Sequence, residues 1–184
     1  MTPRKTIFAI SGSTKKTSAN LAILKAIASM YTDQLDIQIY EGIDQLPHFN
    51  PDLDQEPFPS AVIEFRELIN QADGVLICTP EYVFSLPGAL KNAIEWTVST
   101  TVFSDKPVGL ITAASSGEKA FESLGLIMTT IMAKVTPAAQ LLIKAPKTKL
   151  NEQGNIKDKA TLEKIDNLMQ ALLVTLINTQ REQG

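Results

Sequence analysis

Residues 74–78 read Gly-Val-Leu-Ile-Cys, an apolar run with no polar alternation. A strand of that kind is covered on both faces, as in the middle of a parallel sheet. Parallel neighbours need a crossover of a dozen or more residues, usually a helix, and the rest of the chain supplies that rhythm. Thr6–Ile10 is a short β-prone run ending at Ser11-Gly12-Ser13, and Leu21, Ile23, Leu24, Ile27 and Met30 then mark a helical stripe. Leu35, Ile37 and Ile39 alternate with Asp36, Gln38 and Tyr40, the pattern of a half-buried strand. Val62, Phe65, Leu68 and Ile69 mark a second helix, and Leu86–Val98 a third, with Pro87 near its first turn. Val108–Ala113 reads as a strand, Phe121–Met132 as a helix, and Val135–Ile143 as a last strand with Pro137 near its start. Leu162, Ile165, Leu168, Met169, Leu172, Leu176 and Ile177 line a final helix.

Five strands alternating with five helices predict an α/β fold with a doubly wound parallel sheet. Right-handed crossovers leave few topologies. A three-layer flavodoxin-like sandwich with strand order 2-1-3-4-5 fits this strand count better than a six-stranded dinucleotide fold. The 184 residues suit one domain, 1–184, with no internal repeat or interdomain linker. The loop from about Gly42 to Pro59 is long for a compact domain, as functional loops often are.

A net charge of −3 argues against nucleic acid or an anionic membrane as the main partner. One cysteine, Cys78, and one histidine, His48, are too few for a disulfide or a Cys/His metal site. The expected compartment is therefore a reducing cytoplasm. The N-terminal apolar run is shorter than a signal sequence requires, and no run approaches the ~18 apolar residues of a membrane span. His48 lies in a Pro-flanked loop and reads as a loop residue rather than part of a catalytic triad. Cys78, closing an apolar run, reads as a buried structural thiol.

In the expected topology a ligand sits beyond the carboxyl ends of the first and third strands. Two segments fall there. Gly12–Asn20 offers hydroxyls, an amide, two ammonium groups and a helix N-terminus, a setting that favours a phosphate. It matches neither a Walker loop nor Gly-x-Gly-x-x-Gly. Ser18 is also a natural N-cap. Thr79–Gly88 carries Tyr82 and Phe84 in a turn, placed either to flank a planar ring or to pack the loop itself.

Together the segments resemble the NADPH-dependent FMN reductase family. GSTKKTSAN is similar to its G-S-x-R-x-x-S-x-N phosphate loop, and TPEYVFSLPGALKNAIEW to its P-E-Y-N-x-S-x-P-G-x-L-K-N-A-x-D-W signature. The resemblance runs over nearly the whole chain and points to the branch of quinone, azo-dye and chromate reductases. It implies FMN as cofactor and NADPH or NADH as electron donor. Ser13, Lys15, Ser18 and Asn20 would hold the phosphate. Pro80, Glu81, Tyr82, Val83 and Phe84 would frame the isoalloxazine and ribityl chain, and Ser115, Ser116 and Gly117 would border the ring's other edge. No side chain is assigned as catalytic and none as a metal ligand.

Glu95 replaces an Asp of the family pattern conservatively, and three other departures matter. Lys15 replaces an Arg, keeping charge but losing bidentate geometry. Val83 replaces an Asn, and the turn after the fourth strand, AASSGEKAFESLG, lacks the expected Arg. The implied activity is an NAD(P)H oxidoreductase that reduces quinones, flavins or similar flat acceptors by a ping-pong cycle on one flavin face. A flavin-binding electron carrier and a member with little turnover are the alternatives. A receiver domain is excluded, because Ser-Gly-Ser and Cys-Thr-Pro-Glu at the strand ends form no carboxylate cluster for Mg²⁺. A homodimer or homotetramer is expected through the helix after Pro87, because Leu90, Ala93, Ile94, Trp96 and Thr97 spread beyond one stripe. The sequence does not distinguish NADH from NADPH, or name the acceptor.

Overall fold

The computed structural model describes residues 4–183. Its strands are β1 (Lys5–Ser11), β2 (Leu35–Tyr40), β3 (Gly74–Thr79), β4 (Val108–Ala114) and β5 (Gln140–Lys144). The helices are α1 (Ala19–Met30), α2 (Ser60–Gln71), α3 (Gly88–Glu95), α4 (Glu118–Thr130), the short α5 (Pro146–Lys149) and α6 (Lys159–Gln183). All four strand pairings are parallel and the order is β2-β1-β3-β4-β5, the flavodoxin-like arrangement.

Each pleat of the sheet feeds a separate core. Phe8, Ile10, Val75, Ile77 and Leu110 pack with α2, α3 and α4, whereas Ile7, Ala9, Leu76, Cys78 and Ile111 pack with α1 and α6. Every residue of β3 and β4 is buried, as a central strand between two helical layers must be, whereas the edge strand β2 is mostly half-buried. Each fully buried Leu or Ile contributes roughly 1.5–3 kcal/mol. Surface ion pairs contribute about 0–1 kcal/mol each, so these two cores hold the fold.

Element ends differ from the sequence reading where single residues override the pattern. The last strand starts at Gln140 rather than Val135, because Pro137 opens a 3-10 turn over Pro137–Ala139. Helix α3 is shorter than Leu86–Val98, and α4 begins at Glu118, straight after Gly117 at φ 94°. Helix α5 lies outside the predicted elements: four residues are too short to show periodicity, and it begins at Pro146 after Ala145 at φ 48°. It brings a lysine to the site.

The long loop after β2 is pinned from α3 and its C-terminal end. Trp96, fully buried, donates its indole N–H to the Pro47 carbonyl at 2.7 Å. Asn92 donates to the same carbonyl at 3.0 Å and accepts the Phe49 N–H at 2.7 Å. Phe49 packs edge-on against Trp96 with centroids 5.1 Å apart. Further along, Arg66 of α2 pairs with Asp54 at 2.6 Å and donates to the Trp96 carbonyl at 2.7 Å. Burial works to raise the Asp54 carboxyl, but hydrogen bonds from Arg66 and Ser99 and the Arg66 charge together hold it below the ordinary carboxylate range. His48, between these anchors, is exposed.

Candidate functional site

The turns leaving β1, β3, β4 and β5 converge at the carboxyl end of the sheet around a cleft of about 420 Å³. The size is that of a cofactor pocket. Ser13, Lys15, Ser18 and Asn20 line it with Pro80, Glu81, Tyr82 and Ser115. Four of the eight, Ser13, Ser18, Asn20 and Glu81, turn out to have additional structural duties.

The Ser18 hydroxyl oxygen accepts the Leu21 N–H at 3.1 Å and so caps α1. Its own O–H remains a donor toward the cleft. The first turn of α1 carries no acidic residue, and its Ala19 and Asn20 N–H groups have no intrahelical carbonyl to meet. These features and the helix dipole favour an anion. Ser13, nearly buried, accepts the Lys15 N–H at 3.3 Å. Asn20 is directed inward: its amide donates to the Ala113 carbonyl at 3.4 Å and its oxygen accepts the Cys78 thiol at 3.3 Å. One side chain thereby ties the loop between β1 and α1 to β3 and β4. Complete burial pushes the Cys78 thiol far above its ordinary range, consistent with the structural thiol expected from the sequence.

Glu81 reaches across the cleft mouth. Its carboxylate accepts the N–H groups of Gly117, Lys119 and Ala120 at 3.3, 2.9 and 3.0 Å. It therefore occupies the N-terminus of α4, where a negative charge is favoured, and fastens the turn after β3 to the turn after β4. Gly117 sits in the left-handed region, and a Cβ there would stand 2.7 Å from Leu142.

Val83 and Phe84 do not line the cleft. They form the tip of a two-residue hairpin closed by reciprocal 3.0 Å bonds between Tyr82 and Ser85. Both tip residues have positive φ, 51° and 56°, as a type I′ turn requires. Val83 is 96% exposed and Phe84 77%. Ser116 and Gly117 are outside the lining as well. A β-branched residue in the left-handed region carries strain of about 1–2 kcal/mol. With no packing to lose within the subunit, Val83→Asn is expected to raise the melting temperature of the flavin-free protein, read at a concentration low enough for the monomer, by roughly 2–4 °C. Differential scanning calorimetry checks this, and an unchanged or lowered midpoint would contradict the strain.

Lys147 completes the anion-binding end of the cleft with Thr17 and Thr148. The sequence reading missed it because the position is fixed by β5 and α5 rather than by a motif. It places a second ammonium where Lys15 stands in for an Arg fork. The donor set suits a phosphate monoester: hydroxyls, two ammoniums and a helix N-terminus, with the aromatic Tyr82 and the Ser115 turn farther along for a planar ring. Among the described residues, no group of three or more His, Cys, Asp or Glu is placed to hold a metal.

Comparison with known proteins agrees with this arrangement. The family model described as NADPH-dependent FMN reductase matches residues 6–147. The NAD(P)H-dependent FMN reductase of Pseudomonas aeruginosa is 33% identical over 90% of this chain and 92% of its own length. The NADPH:quinone oxidoreductase of Arabidopsis thaliana is 32% identical over 97% of this chain and 93% of its own length. Among solved structures, the flavoenzyme NAD(P)H:(acceptor) oxidoreductase FerB from Paracoccus denitrificans superimposes with a TM-score of 0.74 at 23% identity, covering 96% of this chain and 98% of that one. With the matched segment running from β1 into α5 and carrying all of the cleft's lining but Thr148, the chain belongs to the NADPH-dependent FMN reductase family.

Proposed function

We propose that the protein is an FMN-dependent NAD(P)H oxidoreductase that reduces quinones, flavins or similar flat acceptors. The observation that carries this is the single cleft, anion-selective at the α1 end and flanked at the other by Tyr82 and the Ser115 turn. Its relatives are named as FMN reductases and quinone oxidoreductases. Ser13, Lys15, Ser18 and Lys147 hold the phosphate, and Asn20 orders their loop from behind. Pro80, Glu81 and Tyr82 frame the ring on one side and Ser115 on the other, with Val83, Phe84, Ser116 and Gly117 shaping those walls as turn residues.

Bound there, FMN supplies two-electron transfer between a nicotinamide donor and an acceptor. The chain's own part is to bind, orient and exclude water. No second nucleotide fingerprint flanks the cleft, so donor and acceptor take turns on one open face. Few buried polar groups exist to reject a wrong acceptor, so specificity is loose. Steady-state rates with varied NADPH and a benzoquinone are expected to give parallel double-reciprocal lines. Intersecting lines would rule out the shared face. An FMN-loaded protein that no nicotinamide reduces would favour an electron carrier instead.

Residues 1–184 act as one unit, and the single cysteine suits a reducing cytoplasm. A homodimer or homotetramer forms near α3, by a surface different from the one expected. Leu90, Ala93, Ile94, Trp96 and Thr97 are all buried within the subunit, where they fill its core. The apolar surface left for a partner is Val98 at the helix's end, 63% exposed, with Val83 and Phe84 on the hairpin before it. Light scattering after size exclusion checks this, and a monomer at micromolar concentration would refute it.

A further inference from the structure

Beyond the phosphate loop lies a second groove of about 560 Å³. It shares Lys15, Thr17, Ser18, Ala19 and Lys147 with the first cleft, so the loop is a common wall rather than an end stop. Four lysines line it, Lys15, Lys16, Lys25 and Lys147, against one carboxylate, Glu152. On a chain of net charge −3 this is a local reversal of sign.

The pairing of these lysines separates them from most of the surface. Lys5, Lys91, Lys119, Lys144 and Lys149 each have a carboxylate within 3.3 Å. Lys25 has only Glu41 at 3.9 Å, both well exposed. Lys15, Lys16 and Lys147 have no ion-pair partner among the described residues. Like charges gathered without counter-charges repel one another, and a bound anion removes that repulsion. One flavin phosphate beside Lys15 and Lys147 leaves Lys16 and Lys25 unanswered, since those two line only the outer groove.

The groove also has an apolar floor. Ala22 and Leu150 are half-buried in it, and the Asn151–Gly154 turn that lines it is shaped by Asn151, whose side-chain oxygen accepts the Gln153 and Asn155 N–H groups at 3.0 and 2.9 Å. A lysine-lined groove with an apolar floor suits a purine nucleotide. It opens from the phosphate end of the flavin cleft and not from the ring end, where a nicotinamide would approach.

Resting on the reading of the first cleft as the flavin site, we propose that the protein also accepts FAD, whose adenylate lies in this outer groove. Lys16 and Lys25 face the second phosphate of the pyrophosphate, Lys15 and Lys147 bridge both phosphates, and the adenine lies over Ala22 and Leu150.

The test is fluorescence titration of the flavin-stripped full chain with FMN and with FAD, in wild type and in Lys16→Gln/Lys25→Gln. Both lysines are exposed, so the variant folds. Wild type is expected to bind both flavins, and the variant to lose roughly tenfold or more in FAD affinity while its FMN affinity is unchanged. An equal loss for both flavins would overturn the proposal by returning these lysines to the inner phosphate. FMN binding without FAD binding would overturn it and leave the flavin reading intact, whereas failure to bind either flavin would remove both. A raised KM for NADPH with unchanged FAD affinity would assign the adenylate to the donor and overturn its flavin-borne form.

Discussion

Glu81→Ala is expected to lower stability by about 2–3 kcal/mol and to weaken FMN binding at least as much as any single phosphate-loop substitution. Three N–H groups at the start of α4 lose their acceptor at once. They lie close enough to solvent for water to replace part of what is lost, so the three bonds do not add. In a chain of this length the change corresponds to a drop of roughly 4–10 °C in melting temperature. The two turns beside the ring are then no longer fastened, so the flavin affinity falls although the phosphate donors are intact. Glu81→Gln, which retains an acceptor but not the charge, is expected to fall between. Thermal melts of the flavin-free proteins and flavin titrations check both variants. An Ala variant with wild-type affinity would show that the clamp does not shape the site.

Trp96→Ala is expected to cost about 3–5 kcal/mol, the range for emptying a fully buried large aromatic site. The indole fills the core beneath α2 and α3, and its N–H is one of two donors to the Pro47 carbonyl. Trp96→Phe removes the N–H and some volume, and Asn92 still serves that carbonyl, so it is expected to cost roughly 1–2 kcal/mol. Denaturant titration separates the two. Protease digestion of the native proteins should show the Ala variant cut first within residues 42–59, because that loop loses its anchor. A cleavage pattern identical to wild type would place the anchor elsewhere.

The parallel sheet was legible because its evidence is local and periodic. An apolar run such as 74–78 has few ways to avoid water, and a stripe at helical spacing fixes which face turns inward. The loop proposed to hold a phosphate was legible as a candidate for a similar reason: hydroxyls and ammoniums directly after a strand and before a helix meet the dipole wherever that unit folds. Asn20 was legible only in part. Its place in the loop was visible, whereas its bonds to Ala113 and Cys78 depend on strands 93 and 58 residues away. The Glu81 clamp had no signal either, because a carboxylate two residues past a strand does not reveal which helix end it will reach.

The apolar excess around α3 shows the same limit from the other side. Composition marked Leu90, Ala93, Ile94, Trp96 and Thr97 as more than one stripe, but the sequence does not say whether the second face meets another subunit or the chain's own long loop. The loop folds back over Trp96, so the excess is absorbed within the subunit. By itself, then, the sequence determined the layers, the strand count and the switch point at which a phosphate-bearing ligand would sit, because burial and dipoles act over neighbouring residues. Only the tertiary structure decided what closes the site, namely Glu81 on α4, Asn20 beneath the loop and Lys147 opposite Lys15. Those contacts join segments that topology alone brings together, and no local pattern records a distance through space.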